Sequence, residues 1–202
     1  MIFKILDIIA PALLGFLCIL WNADKKRLLY FLSIYFFYTS FGELVGLLLS
    51  IYFPDEANFP FYDKFIIPSS YLAEYFLFWW VMKQRQHRLI IIVLTAIYII
   101  SFLIEKFVIQ YTHSEFSYFS YCLGAIISLL ICLMYLFNLV QSSAILYFKK
   151  DIMFWFSIGS LFFQLFTFPF YALMDLWFKY PKIGTTYYYV TFFCIYISYT
   201  FY

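Results

Sequence analysis

The chain has 202 residues, of which 66% are hydrophobic and only 12% are charged. A soluble domain is near half apolar and about a quarter charged, so this composition excludes an ordinary water-soluble fold and requires lipid to solvate the excess. The net charge of +2 at pH 7 gives no sign of a basic nucleic-acid surface, and we expect no direct binding of nucleic acid.

The apolar runs predict an all-helical, polytopic membrane protein with about seven crossings, organised as a single transmembrane domain over residues 1–202. About 20 apolar residues in a helix are enough to cross a hydrocarbon core of about 30 Å. In chain order the predicted crossings are Ile2–Trp21, Leu28–Phe53, Phe65–Met82, Leu89–Gln110, Phe116–Val140, Ile152–Met174 and Thr186–Tyr202. The last run has 17 residues, so its length alone does not establish a full crossing.

The placement of positive charge predicts how the chain is oriented. Eight of the 13 Lys and Arg residues lie in the turns after the first, third and fifth runs, whereas the segment after the second run is acidic. Cytoplasmic loops of membrane proteins carry an excess of Lys and Arg. We therefore expect an outer N-terminus, a cytoplasmic C-terminus and a multi-pass protein of the cell inner membrane. The Lys-, Phe- and Ile-rich composition favours a bacterial source.

The densest basic cluster is Lys83-Gln84-Arg85-Gln86-His87-Arg88, between the third and fourth runs. Charges of this density are costly in hydrocarbon, so the cluster is expected in the cytoplasm. One interpretation is a surface for a protein partner, formed by Lys83, Arg85, His87 and Arg88. The alternative is that these charges only orient the chain, as they do in any membrane protein.

Five polar residues fall within the predicted crossings, mostly in the outer half of the membrane. One hypothesis is a cavity open to the outside, where carboxylates bind a proton, a cation or a cationic ligand. Carboxylates removed from water together repel one another, so such a site would respond to protons. The alternative is interhelical hydrogen bonding or, for Asp7 near the outer surface, simple hydration. The candidates are Asp7, Glu43, Glu74, Glu105 and Gln164.

Gly42 and Gly46 are four residues apart, a spacing that lets two helices approach closely. This pair indicates helix packing within the chain, with dimer formation as the alternative. The spacing is therefore compatible with both a monomer and an oligomer.

No catalytic or metal-binding pattern is found in the sequence. The cysteines lie in apolar runs at no metal-ligand spacing, so buried thiols are expected rather than a zinc site or disulfides. His87 and His113 fall on opposite predicted sides of the membrane and would not share a metal. Without a Ser/His/Asp set, a phosphate loop or a His-Glu-x-x-His motif, we expect no enzyme, no catalytic residue, no metal site and no cofactor.

Two stretches resemble recurrent features of small multi-spanning bacterial membrane proteins. These are the aromatic-glutamate run Tyr71–Phe78 and the stretch Phe154–Gly159, which begins Phe-Trp and ends in glycine. Some such proteins are similar to seven-helix input modules of sensor kinases, which implies signal input, although this sequence carries no output domain. In size and hydrophobicity the chain also resembles the membrane accessory proteins encoded beside type VI CRISPR RNA-targeting effectors. That resemblance implies a role in antiviral defence, and neither resemblance assigns a role to a residue.

These observations favour a non-enzymatic accessory or regulatory protein of the lipid bilayer that acts through a cytoplasmic or membrane protein partner. Its role would be signal input or modulation of a CRISPR-type defence effector. The alternative is a small transporter or channel for a proton, cation or cationic ligand that uses the intramembrane carboxylates. A transporter or channel should produce ion or proton flux across a membrane, whereas an accessory protein should produce none.

Overall fold

A computed structural model describes residues 2–20, 26–52, 61–109 and 119–173, together with 180, 185–186, 189–191 and 193. Within these residues all regular secondary structure is helical and no strand occurs, which confirms the all-helical fold class for this part of the chain. The chain divides into two compact units, Met1–Ala73 and Glu74–Tyr202. The single domain expected over residues 1–202 stays a prediction.

The described α-helices correspond to the first six predicted runs. They are α1 (Ile2–Leu20), α2 (Lys26–Tyr52), α3 (Ile67–Val81), α4 (Arg85–Ile104), α5 (Phe119–Gln141) and α6 (Ile152–Ala172). A π-helical turn, Tyr62–Ile66, leads into α3, and a second, Glu105–Ile109, extends α4. A 3₁₀ segment, Ser143–Lys150, connects α5 to α6. Of the seventh run, Thr186–Tyr202, only residues 186, 189–191 and 193 are described, and His113 lies outside the described residues.

Helical structure extends into several stretches that the predicted run boundaries assign to loops, including Lys26 and Arg27 at the start of α2. The π turn includes Lys64, and α4 already begins at Arg85, so only Met82–Gln84 separates α3 from α4. The linker after Gln141 is mostly the 3₁₀ segment. Long charged side chains can reach water from a helix end, so a polar composition there does not require a loop.

Four helical stretches among the described residues are long and apolar enough to cross a membrane. They are Arg27–Tyr52, Arg85–Val108, Phe119–Gln141 and Ile152–Pro169. The apolar part of α1, Ile5–Leu20, is shorter, and α3 has 15 residues, or about 22 Å at the helical rise. Many aliphatic side chains on α4, such as Ile92 and Ile100, are exposed on the protein surface and need lipid around them. The fold is that of a multi-helix membrane protein.

In the first unit, α1 and α2 pack along each other in opposite directions. The Ser33 hydroxyl donates to the Gly15 carbonyl at 3.0 Å, and the Ser40 hydroxyl donates to the Ile8 carbonyl at 2.7 Å. Residue numbers therefore rise along α2 as they fall along α1. Hydroxyl groups are satisfied here by backbone carbonyls of the neighbouring helix, as is common between membrane helices.

In the second unit, α4, α5 and α6 also run in alternating directions, because along each pair the residue numbers rise on one helix as they fall on the next. The contacts are Glu105 with Ser120 and His87 with Asn138 for α4 and α5, and Ser128 with Ser160 and Tyr135 with Asp151 for α5 and α6. Successive membrane crossings require this alternation, since each crossing returns the chain to the side that the previous one left. The turn after α3 and the 3₁₀ segment before α6 consequently lie at the same end of the second unit.

Candidate functional site

Glu74 on α3 is buried and receives hydrogen bonds from two other helices. The Ser128 hydroxyl on α5 donates to Glu74 Oε1 at 2.6 Å, the Ser160 hydroxyl on α6 donates to the same oxygen, and the Cys132 thiol lies 3.7 Å from it. Each of the four side chains is at most 3% exposed. We call Glu74, Ser128, Cys132 and Ser160 the Glu74 cluster.

A four-residue spacing on α5 places the donors of this cluster on one face. Residues four apart lie one above the other on an α-helix, and every member of this α5 stripe is buried. The stripe consists of Ser120, Gly124, Ser128 and Cys132. Its small side chains leave room for α3, whose Tyr75 hydroxyl donates to the Gly124 carbonyl at 2.7 Å.

A buried polar stripe also runs along α6. Gln164 lies one turn beyond Ser160 on this stripe and is buried, with 3% of its surface exposed. The stripe consists of Ser157, Ser160, Gln164 and Thr167. Of the two buried serines, only Ser160 bonds to Glu74, because the Ser157 hydroxyl donates to the Met153 carbonyl of its own helix at 2.6 Å.

Aromatic rings pack beside the Glu74 cluster, one helical turn further along α3. The Phe78 ring lies 5.8 Å from the Tyr135 ring and 6.0 Å from the Phe156 ring, centre to centre. Phe78 and Phe156 are at most 1% exposed. One helical turn from Glu74, the surroundings are therefore apolar and closely packed.

The geometry of the Glu74 cluster links the proton on Glu74 to the contacts between helices. Convergent donors compensate for removing a carboxyl group from water. Hydrogen bonds to an ionised oxygen are stronger than those to a neutral one, so gain or loss of the carboxyl proton would change the bonds that join α3 to α5 and α6. The cluster can thus couple a proton to helix packing. Among the described residues no group of three or more His, Cys, Asp or Glu side chains is placed to hold a metal.

Glu105 occupies a separate position, at the start of α5. The Ser120 backbone N–H donates to Glu105 Oε2 at 2.6 Å, and Lys106 Nζ lies 3.7 Å from Oε1. The first N–H groups of a helix lack partners within it, and a negative charge there is favoured by the helix dipole. Ser120 and Ser128 are about 12 Å apart along α5, so Glu105 and Glu74 do not share one cavity.

Glu43 belongs to the first unit, where it accepts a hydrogen bond from the Tyr62 hydroxyl at 2.9 Å. A methyl group at Gly46 would collide with the Tyr62 ring, and one at Gly42 would lie 2.9 Å from Ile66 Cδ1. The two glycines therefore let α2 approach the π turn before α3. Their spacing serves packing within the chain.

Asp7 also lies in the first unit, on α1. Only 8% of its surface is exposed, so the carboxyl is enclosed by the chain itself rather than simply hydrated at the outer surface. Asp7 and Glu43 thus belong to one unit, whereas Glu74, Glu105 and Gln164 belong to the other.

In the basic cluster between α3 and α4, some side chains are exposed and others contact the rest of the chain. Lys83 and Arg85 are exposed. Arg88 turns back to the end of α3, where its Nε donates to the Met82 carbonyl at 2.5 Å and its guanidinium lies 5.5 Å from the centre of the Trp79 ring. The last carbonyls of a helix have no partner within it, so Arg88 caps α3.

His87 also contacts another helix. Its Nδ1 lies 3.0 Å from the side-chain nitrogen of Asn138 on α5, and the ring is half-buried. Together with Arg88, this contact holds the turn against the end of the second unit. Lys83 and Arg85 are consequently the two members of the predicted partner surface that face outward.

Sequence reasoning did not assign Ser128, Cys132 and Ser160 to a site with Glu74. The α5 and α6 stripes of small polar residues were the signal that could have identified them, because such residues at helical spacing within an apolar run indicate a polar face.

The fold and the Glu74 cluster define a helical membrane protein with a buried, hydrogen-bonded carboxyl group between its helices. Comparison of the chain with known protein families, curated proteins and solved structures finds no match.

Proposed function

We propose that the chain is a non-enzymatic regulatory or accessory protein of the bacterial inner membrane, with seven crossings, an outer N-terminus and a cytoplasmic C-terminus. The alternating directions of α4, α5 and α6 support successive crossings. The turn carrying Lys83 and Arg85 and the segment carrying Lys149 and Lys150 lie at one end of the second unit, which supports a cytoplasmic location for that end.

The observation that carries the proposal is the fixed basic turn between α3 and α4. Arg88 and His87 hold the turn in place while Lys83 and Arg85 remain exposed. A surface that is already ordered loses little conformational freedom when it binds. Its charge fits a partner protein with an acidic patch. Following the sequence resemblances, that partner would be a signalling protein or a type VI CRISPR effector.

Reversal of both exposed charges, Lys83→Glu with Arg85→Glu, is expected to weaken partner binding at least about tenfold, because opposed like charges are strongly unfavourable at an interface. Thermal stability should stay unchanged, since neither side chain is buried. The measurement is crosslinking and affinity purification of the tagged full chain from native membranes, with the retained partner quantified by mass spectrometry.

Lys64→Glu is the matched control, because it makes the same exchange at an exposed residue in the π turn of the first unit. It should leave partner recovery intact. Recovery of the unaltered protein without any stoichiometric partner, or equal partner recovery after reversal at Lys83 and Arg85, would contradict the regulatory proposal.

The Glu74 cluster specifically favours a second function, movement of a proton or cation across the membrane. A buried carboxyl group between helices is the usual feature of proton and ion pathways in membrane proteins. Under this alternative, loss of a proton from Glu74 would alter the contacts of α3 with Ser128 and Ser160 and shift the packing of the helices.

The transport alternative predicts ion flux from the purified chain in liposomes that contain a pH-sensitive dye. Glu74→Gln should reduce proton flux to the level of protein-free liposomes, because the amide keeps the size of the side chain and cannot exchange a carboxyl proton. Ser157→Ala removes a buried hydroxyl of α6 that bonds to its own helix instead of Glu74, so it should leave the flux unchanged and separates a specific effect from a general one. Flux equal in the unaltered protein and Glu74→Gln would remove Glu74 from any transport path.

A further inference from the structure

We infer that the 3₁₀ segment Ser143–Lys150 binds the headgroups of anionic phospholipids at the cytoplasmic surface of the membrane. The inference depends on insertion of the helices in a bilayer and on the proposed orientation. It requires neither a protein partner nor transport.

The segment turns both apolar and basic side chains outward. Leu146 is 78% exposed and Tyr147 is 69% exposed, and Lys149 and Lys150 are exposed as well. Phe148 points inward, where its ring packs edge-to-face on Phe154 at 5.0 Å. This aromatic contact packs the segment on α6, while Leu146, Tyr147, Lys149 and Lys150 are available to the surroundings.

The exposed apolar residues continue the lipid-facing surface of α5. Phe137 and Val140, in the last turn of α5, are each more than 60% exposed. Trp155, at the start of α6, is partly exposed and donates from Nε1 to the Lys149 carbonyl at 3.1 Å. Tryptophan and tyrosine prefer the boundary between lipid and water, so Tyr147 and Trp155 place this segment at headgroup depth.

The charge of the segment selects anionic headgroups. Asp151 is the acidic residue next to the two lysines, and its carboxylate is engaged elsewhere, since it accepts from the Tyr135 hydroxyl at 2.7 Å and from the Met153 N–H at 3.2 Å. Lys149 and Lys150 can lay their aliphatic stems along apolar surface and extend their ammonium groups to phosphates. A lysine near an anionic membrane surface strengthens binding about fivefold.

The test is a photoreactive benzoylphenylalanine in place of Tyr147 in the full chain, reconstituted in vesicles of equimolar phosphatidylcholine and phosphatidylglycerol. Lipid adducts are identified by mass spectrometry. The ratio of phosphatidylglycerol to phosphatidylcholine adducts is expected to exceed the bulk ratio by about fivefold or more. With Lys149→Gln and Lys150→Gln added, the ratio should return to the bulk value while the total yield of lipid adducts is retained.

The same photoreactive residue at Leu130 is the control, because this side chain is exposed near the middle of α5 and should report the bulk lipid ratio. A bulk ratio at position 147, no lipid adduct there, or enrichment that persists without the two lysines would overturn the inference. So would crosslinking at position 147 to a protein instead of lipid in native membranes. Because the vesicles contain no partner, failure here leaves the proposal for Lys83 and Arg85 intact.

Discussion

Glu74→Ala is expected to lower the free energy of unfolding by about 3 kcal/mol. The exchange removes the acceptor of the Ser128 and Ser160 hydroxyls and leaves a cavity between three helices. Hydrogen bonds between membrane helices average below about 1 kcal/mol each, so the cavity accounts for much of the cost. The measurement is a denaturation curve of the purified protein in mixed detergent micelles.

Ser160→Ala and Ser157→Ala provide a matched pair for this prediction. Both serines are buried on α6, but only Ser160 bonds to Glu74. In a double-mutant cycle with Glu74→Ala, Ser160→Ala should show a coupling energy of about 0.5–1 kcal/mol and Ser157→Ala should show none. Equal coupling for both serines would mean that the Glu74 cluster does not hold α3 to α6.

Gly46→Ala is expected to destabilise the first unit by about 2 kcal/mol, although alanine is the better helix former by about 1 kcal/mol. The new methyl carbon would lie 2.5 Å from Cε2 and Cζ of Tyr62. The tyrosine has to move, and Glu43 then loses the hydroxyl that donates to it. The same denaturation measurement reports the loss.

The sign of the Gly46 effect should reverse once the tyrosine ring is removed. In a Tyr62→Ala background no ring opposes the new methyl group, so Gly46→Ala should stabilise the protein by up to about 1 kcal/mol through helix propensity alone. If Gly46→Ala costs the same in both backgrounds, the close approach of α2 to the π turn is not what requires glycine at this position.

The helices themselves could be predicted from the sequence because long apolar runs in lipid have to satisfy their own backbone hydrogen bonds. The sequence does not predict which side of each helix faces its neighbours. On α3 the residues around Glu74 are nearly all aromatic or aliphatic, so hydrophobicity does not vary around the helix and gives no direction. Glu74 was recognised as a candidate by its charge, whereas its partners Ser128 and Ser160 are ordinary residues in apolar runs.

The basic turn shows a second limit of sequence reasoning. Charge density predicted that Lys83 to Arg88 would lie outside the hydrocarbon, and charge alone does not distinguish a side chain that faces a partner from one that caps a helix. Arg88 lies close enough to the end of α3 to reach the Met82 carbonyl, and His87 meets Asn138, a residue 51 positions away in the sequence. Only the packing of α4 against α5 makes that second contact.

The separation in sequence between Glu74 and its donors also has a consequence for biosynthesis. Ser128 and Ser160 follow Glu74 by 54 and 86 residues, so both are still unmade when α3 leaves the ribosome. A lone carboxylate is unfavourable in lipid by about 3 kcal/mol. If α3 crosses the membrane as proposed, it is therefore better accommodated beside the insertion machinery than in the bilayer until α5 and α6 emerge. Insertion of this helix should then be completed late, together with the hairpin that carries its partners.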